Sequence, residues 1–201
     1  FFIEQGCYYG WFFQYIPIGR EPDVSLMSTP EQRFQQREFI EKVCRKKDKA
    51  IFIGDFWNDG PHVGGCMAGG SLYLHVNVNG DIEPCVFAHF AVDNVKKTTI
   101  KKALRSDFFK ILRDRVQSVR SKNPYSDNLL TPCMIIDNPW VLRECVKLGK
   151  AHPTHAGADT IIKDPKIVKH LDEYSKQWHK ITDPVCEKEF CQKSCSECKK
   201  K

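Results

Sequence analysis

Two cysteines flank a segment whose pattern predicts a β-hairpin. Cys66 is followed by thirteen residues, Gly80, four more residues and Cys85. In the stretch SLYLHVNV, apolar residues recur at every second position, and this period of two indicates a strand. Asn79-Gly80 is a strong hairpin-turn pair, because both central residues of the tight turn need positive φ. A hairpin brings Cys66 and Cys85 together at its open end, where two thiols can form a disulfide, supply half of a metal site or do neither.

Cys133 is a third cysteine of the same local kind. Glycine or proline directly precedes Cys66, Cys85 and Cys133. These residues hold turns open and leave amide N–H groups free to point at a cluster, which is typical of iron–sulfur ligands. A structural zinc prefers a short C-x2–4-C pair, and no two of these three cysteines form one. The spacing favours [4Fe-4S], while zinc and no metal stay open. Cys145, predicted in a helix, is a candidate fourth ligand.

The end of the chain carries a separate group of thiols, Cys186-x4-Cys191-x3-Cys195-x2-Cys198. Four thiols this close can bind a second [4Fe-4S] cluster or a zinc ion. The alternative is an unliganded tail.

Two polar groups are weaker candidates for a site. His152 and His155 are spaced so that both can reach one ion from a loop. Asp55, Asn58 and Asp59 follow a predicted strand, and polar residues at the carboxyl end of a parallel strand commonly face a ligand crevice.

The elements that position these residues fall into an α+β pattern. Residues 1–19 predict a buried strand, and 30–45 predict a helix capped by Ser28 or Thr29 with Pro30 in its first turn. Residues 50–56 are continuously apolar, as in a strand buried on both faces. Strand, helix and strand in this order predict a parallel βαβ unit.

Further helices are predicted after the hairpin, with loops between them, at about 98–116, 137–149 and 165–181. We therefore expect a first part at 1–60, too small to close alone and with exposed apolar edges, a cysteine-bearing part at 61–185, and a Cys/Lys-rich tail at 186–201.

Composition narrows the class of protein. The chain has 201 residues, is 41% hydrophobic and 28% charged, and holds ten cysteines. No run approaches the roughly 20 apolar residues of a membrane span, and no secretory segment is visible. We therefore expect a cytoplasmic protein whose clustered thiols bind metal. The net charge of +6 lies in scattered surface lysines, so nucleic acid is not an expected partner.

The residues around the hairpin resemble a known family. The pattern C-x13-G-x4-C within GGCMAGGSLYLHVNVNGDIEPCVFAHF resembles the opening of SPASM and twitch domains, which follow the catalytic barrel in many radical S-adenosylmethionine enzymes. The segments YIPIGRE, IFIGDFWNDGP and TPCMIIDNP are similar to one SPASM-bearing branch of that superfamily.

The resemblance implies a cofactor and a position in a longer protein. Residues 1–60 would be the last strand–helix–strand of a partial (β/α)6 barrel, and the missing amino-terminal barrel would be the partner of this chain. Cys66, Cys85 and Cys133 would hold an auxiliary [4Fe-4S] cluster that passes electrons or binds substrate. S-adenosylmethionine would lie near the ends of two barrel strands, at the four residues Tyr15, Gly19, Gly54 and Asp55.

The chain also departs from the family pattern. The C-x3-C-x2-C loop that carries the cluster cleaving S-adenosylmethionine does not follow a first barrel strand. That spacing occurs only at Cys191, Cys195 and Cys198, at the wrong end of the chain. The seven-cysteine SPASM pattern is incomplete, so one auxiliary cluster is expected, and a second [4Fe-4S] cluster belongs to the complete protein.

Because the chain starts without Met inside a predicted strand, we expect a carboxyl-terminal part that is not active alone. Its substrate, a peptide, protein or small molecule, is unassigned. The alternative is a zinc- or cluster-stabilised module that binds protein or nucleic acid without catalysis.

Overall fold

The structure is a computed structural model that describes residues 1–46, 51–116 and 128–191. Those residues form a mixed α and β fold with small two-stranded sheets, which confirms the expected mixture of helices and strands. The SPASM-like arrangement of the hairpin and helices stays a prediction. The partial barrel stays a prediction. The helices are α1 (Pro30–Phe39), α2 (Gly60–Val63), α3 (Ile100–Ala103), α4 (Asp107–Val116), α5 (Pro139–Gly149), α6 (Thr160–Lys163) and α7 (Pro165–Cys186), and the strands are β1 (Tyr9–Phe12), β2 (Phe52–Asp55), β3 (His75–Val76), β4 (Ile82–Glu83), β5 (Phe90–Ala91) and β6 (His152–Pro153).

The first part of the chain forms the predicted parallel βαβ unit. Strand β1 pairs with β2 in parallel, with Tyr9 opposite Phe52. Helix α1 connects them and continues as a π-helical turn, Ile40–Cys44. Thr29 caps the helix because its hydroxyl accepts from the amide of Gln32, whose side chain in turn accepts from the Thr29 amide. The predicted start of this helix is confirmed.

The prediction that both strands are buried is wrong on one face of the sheet. Phe52 is 66% exposed and Trp11 is 51% exposed, whereas Ile53 and Asp55 are buried. The continuously apolar residues 50–56 correctly predicted a strand, β2, with apolar side chains on both of its faces. Only the face that holds Ile53 and Asp55 is covered among the described residues, so the exposed apolar side chains of this part lie on the other face of the sheet.

The hairpin is confirmed, but its turn differs from the prediction. Strands β3 and β4 pair antiparallel. Gly80 has φ of +91°, and Asn79 is not in the left-handed region. The amides of Asn79 and Asp81 both donate to the side-chain oxygen of Asn77. This side chain stabilises the five-residue connection 77–81, in which only the glycine has positive φ.

The second half differs from the expectation in three boundaries. The helix predicted at 98–116 is broken into α3 and α4, because Ser106 accepts from the amide of Phe109 and starts a new helix there. Helix α7 continues past 181, through Pro184. The loop expected at 150–162 contains β6, which pairs with β5. The main core packs α5 against α4 and α7, with Phe108, Leu112, Leu142, Leu171 and Trp178 buried.

Among the described helices, none combines the length and apolar content needed to cross a membrane.

Candidate metal centre

Three cysteines line one cavity of about 220 Å³. Cys66 lies in the loop after α2, Cys85 lies two residues after β4, and Cys133 lies before α5. The antiparallel pairing of β3 with β4 returns the chain toward its start. This return brings Cys85 to Cys66, and the loop before α5 adds Cys133.

The same backbone feature surrounds each of the three sulfurs. The amide of Phe87 lies 3.5 Å from Sγ of Cys85, and the amide of Ile135 lies 3.4 Å from Sγ of Cys133. The amide of Ala68 donates to the sulfur of Cys66. In every case the donor is two residues after the cysteine. Amide N–H groups directed at sulfur are what a bound iron–sulfur cluster uses to tune its potential.

The free thiols are protonated at neutral pH. Desolvation raises the pKa of Cys66, and the neighbouring thiols of Cys85 and Cys133 raise it further. Desolvation also raises the pKa of Cys85, and it raises that of Cys133 to about 12. Because a metal binds thiolate, occupation of this cavity must release protons.

The cavity wall is otherwise almost wholly apolar and aromatic. The Tyr73 hydroxyl lies 3.2 Å from Sγ of Cys85, and Tyr73 is the only tyrosine among the described residues that line the cavity. The remaining aromatic lining comprises Trp11, Phe52, Phe56, Trp57 and Phe87. Rings of Trp11 and Phe56 stack with centroids 4.6 Å apart. The cavity is therefore continuous with the exposed aromatic face of the β1–β2 sheet.

A buried ion pair fixes the loop that carries Cys133. Arg33 and Asp137 are both fully buried, with Nη1 and Oδ1 2.5 Å apart. Arg33 also donates to the carbonyl of Trp57 at 2.8 Å and to Asn58 at 3.0 Å. The other carboxylate oxygen of Asp137 accepts from the amide of Cys133 at 2.9 Å. The pair thus links α1, the segment after β2 and the Cys133 loop.

Cys145 is placed apart from the other three cysteines. It is buried in α5, and burial raises its pKa to about 12 while its charged neighbours are Glu144 and Arg115. It does not line the cavity. Cys186 is buried at the end of α7. The side chain of Cys191 and all of Cys195 and Cys198 lie outside the described residues, so the tail site stays a prediction.

The structure does not gather the four residues predicted at S-adenosylmethionine into one cavity. Gly54 lines the cysteine cavity, whereas Asp55, Tyr15 and Gly19 do not. Gly54 and Asp55 are adjacent in β2 and so face opposite sides of the sheet. The Tyr15 hydroxyl accepts from the amide of Asp23. Gly19 lies in a loop with φ of +89°.

Asp55 belongs to a buried polar network behind the sheet. Its Oδ2 accepts from Asn58 at 2.7 Å and from Gln36 at 3.4 Å, whereas Oδ1 has no partner among the described residues. Burial raises the pKa of this carboxyl. Asp59 accepts from the Asp55 amide and pairs with Arg45. Among these polar residues, only Asp59 reaches the cysteine cavity.

Sequence reasoning missed Tyr73, Arg33 and Asp137. In the sequence, Tyr73 is only one of the residues that alternate with the apolar ones in the predicted hairpin strand. Asp137 stands at the start of the helix predicted at 137–149, but its position four residues after Cys133 was a usable signal. Nothing in the sequence marks Arg33 as buried, because its partner is 104 positions away.

Comparison with known families gives a match to part of the chain. Residues 66–133 match the family model of SPASM, an iron–sulfur cluster-binding domain. The matched region begins at Cys66 and ends at Cys133. The match confirms the resemblance to SPASM domains and supports an iron–sulfur cofactor. No curated protein matches the chain. No solved structure matches it either.

Proposed function

We propose that Cys66, Cys85 and Cys133 hold an auxiliary [4Fe-4S] cluster in the carboxyl-terminal part of a radical S-adenosylmethionine enzyme. The observation that carries the proposal is the convergence of these three thiols on one cavity, each with an amide donor, within the SPASM match.

The donor set fits this cofactor. Cluster iron is held by cysteine thiolates, and hydrogen bonds to the sulfurs and exclusion of solvent tune its potential. The cavity supplies three thiols, amide donors and apolar walls. Tyr73 adds a phenolic donor at the sulfur of Cys85. No fourth cysteine or histidine lines the cavity among the described residues, so the fourth ligand is unassigned.

The separation of the sulfurs argues against a single zinc ion. Two thiolates on one tetrahedral zinc lie about 3.8 Å apart, because each Zn–S bond is about 2.3 Å. The sulfurs of Cys66, Cys85 and Cys133 are not all within 4.8 Å of one another. A multi-iron cluster can span the wider separation, whereas one ion cannot do so without movement of the loops.

The exposed aromatic face supports a missing partner domain. Strands β1 and β2 form a two-stranded parallel sheet, and Tyr9, Trp11 and Phe52 are more than half exposed. Parallel sheets are normally covered on both faces. We propose that the amino-terminal barrel of the same protein continues this sheet, with residues 1–60 as its last unit, 61–185 as the cluster domain and 186–201 as an added tail.

In this arrangement the cluster would lie against the barrel face that holds Trp11 and Phe56, where it can pass electrons or bind substrate. S-adenosylmethionine would lie near Gly54, at the carboxyl end of β2, since Tyr15, Gly19 and Asp55 do not line the same cavity. The seven cysteines from Cys7 to Cys186 are free thiols. Free thiols are typical of a reducing compartment such as the cytoplasm. The substrate is a peptide, protein or small molecule.

The test is anaerobic reconstitution of the full chain with iron and sulfide, with iron, sulfide and zinc measured in the wild type and in Cys66→Ala/Cys85→Ala. We expect the double variant to bind about four fewer iron atoms, the content of one [4Fe-4S] cluster. About one zinc per chain that persists in the double variant, with no cluster, would instead favour a binding module whose metal lies in the tail. The proposal of a radical S-adenosylmethionine enzyme also requires that the complete gene encode a C-x3-C-x2-C motif upstream of this chain.

A further inference from the structure

We propose that His89 and His155 form a second metal site, specific for a divalent ion that prefers imidazole ligands. His89 follows the Cys85 loop, and His155 follows β6. Nδ1 of His89 and Nε2 of His155 lie 2.7 Å apart. The sequence had suggested His152 and His155 as a pair, but the structure instead places His155 against His89.

In each imidazole ring, the hydrogen bond of the outer nitrogen determines whether the inner nitrogen, which faces the other ring, carries a hydrogen. Nε2 of His89 is 2.8 Å from the carbonyl oxygen of Val86, and Nδ1 of His155 is 2.9 Å from that of Ala156. A carbonyl oxygen only accepts hydrogen bonds, so each of these outer nitrogens must carry its ring's hydrogen. A neutral imidazole has one N–H and one lone pair. The two inner nitrogens therefore both present lone pairs, which repel at 2.7 Å unless a cation neutralises them.

The same orientation is the one that metal-binding histidines adopt. Such a histidine almost always donates its second N–H to a carbonyl, a carboxylate or water, which fixes the tautomer and the direction of the lone pair. Here both rings are fixed in this way by main-chain oxygens. Imidazole nitrogen suits zinc, copper and nickel.

The surrounding backbone holds His89 and His155 next to each other and leaves both side chains accessible to an ion from solvent. Strand β5 pairs with β6, and the amide of Thr154 donates to the carbonyl of His89 at 3.1 Å. His155 is exposed and His89 is partly exposed, so an ion can enter and water can complete its coordination. Two nitrogens on one tetrahedral ion lie about 3.4 Å apart, since each bond is about 2.1 Å. Opening the pair by less than 1 Å is therefore sufficient, and His155 lies on a surface loop.

The bound ion would join the loop of Cys85 to the segment after β6. It is distinct from the cysteine cavity, whose wall includes neither histidine.

The test uses Zn²⁺ on the full chain at pH 7.5, with the cluster loaded and the remaining thiols alkylated so that cysteines do not compete. Calorimetry compares the wild type with His89→Gln and His155→Gln, and His152→Gln is the matched control from the same segment. Loss of one ligand should weaken this site by at least the 10–100-fold seen when outer partners of a metal ligand are lost. The control should bind as the wild type does.

A second measurement does not depend on how the variants fold. In long-range ¹H–¹⁵N spectra of the ¹⁵N-labelled wild type, Zn²⁺ should shift Nδ1 of His89 and Nε2 of His155 and leave His152 unchanged. Unshifted signals at saturating Zn²⁺ would mean that a shared proton neutralises the pair, and this outcome overturns the proposal. Equal Zn²⁺ affinity in all four proteins would overturn it as well.

Discussion

Replacing Arg33 with Met should destabilise the protein strongly, because the change leaves a buried carboxylate without its counter-ion. Arg33 and Asp137 are both 0% exposed. Breaking a fully buried ion pair from one side costs about 3–5 kcal/mol. Arg33 also stacks over the Trp178 ring at 4.0 Å and donates to the Trp57 carbonyl. Loss of these contacts places the expected effect at the upper end of that range.

The measurement is urea unfolding of the reduced chain without cluster, followed by circular dichroism. Arg143→Met is a matched control, since Arg143 pairs with Asp172 at 2.6 Å but both side chains are partly exposed. Such pairs contribute about 0–1 kcal/mol. A difference of less than about 1 kcal/mol between Arg33→Met and Arg143→Met would refute the reasoning.

A double variant separates stability from the metal centre. Arg33→Met with Asp137→Leu replaces the pair by apolar groups, which is often neutral or stabilising relative to an intact buried pair. It should therefore regain most of the stability lost in Arg33→Met. It also removes the acceptor of the Cys133 amide, so cluster retention should stay below the wild-type level. Recovery of both properties together would show that Asp137 does not position the Cys133 loop.

Three further predictions concern the surroundings of the cavity. Gly60→Ala should destabilise the protein by several kcal/mol, because a Cβ there would lie 1.9 Å from the carbonyl oxygen of Leu129; the urea midpoint measures this. Tyr73→Phe removes the hydroxyl near the sulfur of Cys85, and it should lower the reduction potential of the cluster in a redox titration, since hydrogen bonds to ligand sulfur raise the potential. Without cluster, the protein should lose stability above pH 9, because burial raises the pKa of Cys133 from 9.0 to about 12; the loss is up to about 1.4 kcal/mol per pH unit for this thiol.

Each of these has a defined counter-result. Gly64→Ala places its Cβ in open space at φ of +77°, so it should cost only the roughly 1–2 kcal/mol of a left-handed backbone, and an equal loss in Gly60→Ala would contradict the steric argument. An unchanged or higher reduction potential of the cluster in Tyr73→Phe would contradict the proposed hydrogen bond from the Tyr73 hydroxyl to the sulfur of Cys85. For the pH dependence, a raised pKa in the folded state means that stability is complete below pH 9 and falls above it. Cys133→Ser should flatten this fall, and an unchanged slope would refute the assignment.

The sequence predicted the local elements well where one short-range signal decided the structure. The Thr29–Pro30 start of α1 and the alternation before Asn79-Gly80 depend on residues that are neighbours in sequence, and both elements form. The break between α3 and α4 was missed because Ser106 lies within the single helix predicted at 98–116. Its hydroxyl competes for the Phe109 amide, an effect that periodicity does not report.

The candidate site was predictable only in part, for the same physical reason. Cys66 and Cys85 could be placed together because a hairpin connects them. Cys133 could be assigned only through its local setting and the resemblance. The residues that hold Cys133 in place were invisible, since Arg33 reaches Asp137 across 104 positions. Cys145 is close to Cys133 in sequence and was therefore a candidate fourth ligand. In the structure, Cys145 is buried in α5 with Glu144 and Arg115 as its charged neighbours.

The most direct test of the central claim is the iron content of the reconstituted full chain in four single variants. Cys66→Ala, Cys85→Ala and Cys133→Ala should each lose the same cluster, about four iron atoms, whereas Cys145→Ala, the matched buried control, should retain it. Full iron content in Cys133→Ala, or an equal loss in Cys145→Ala, would contradict a cluster held in the three-cysteine cavity.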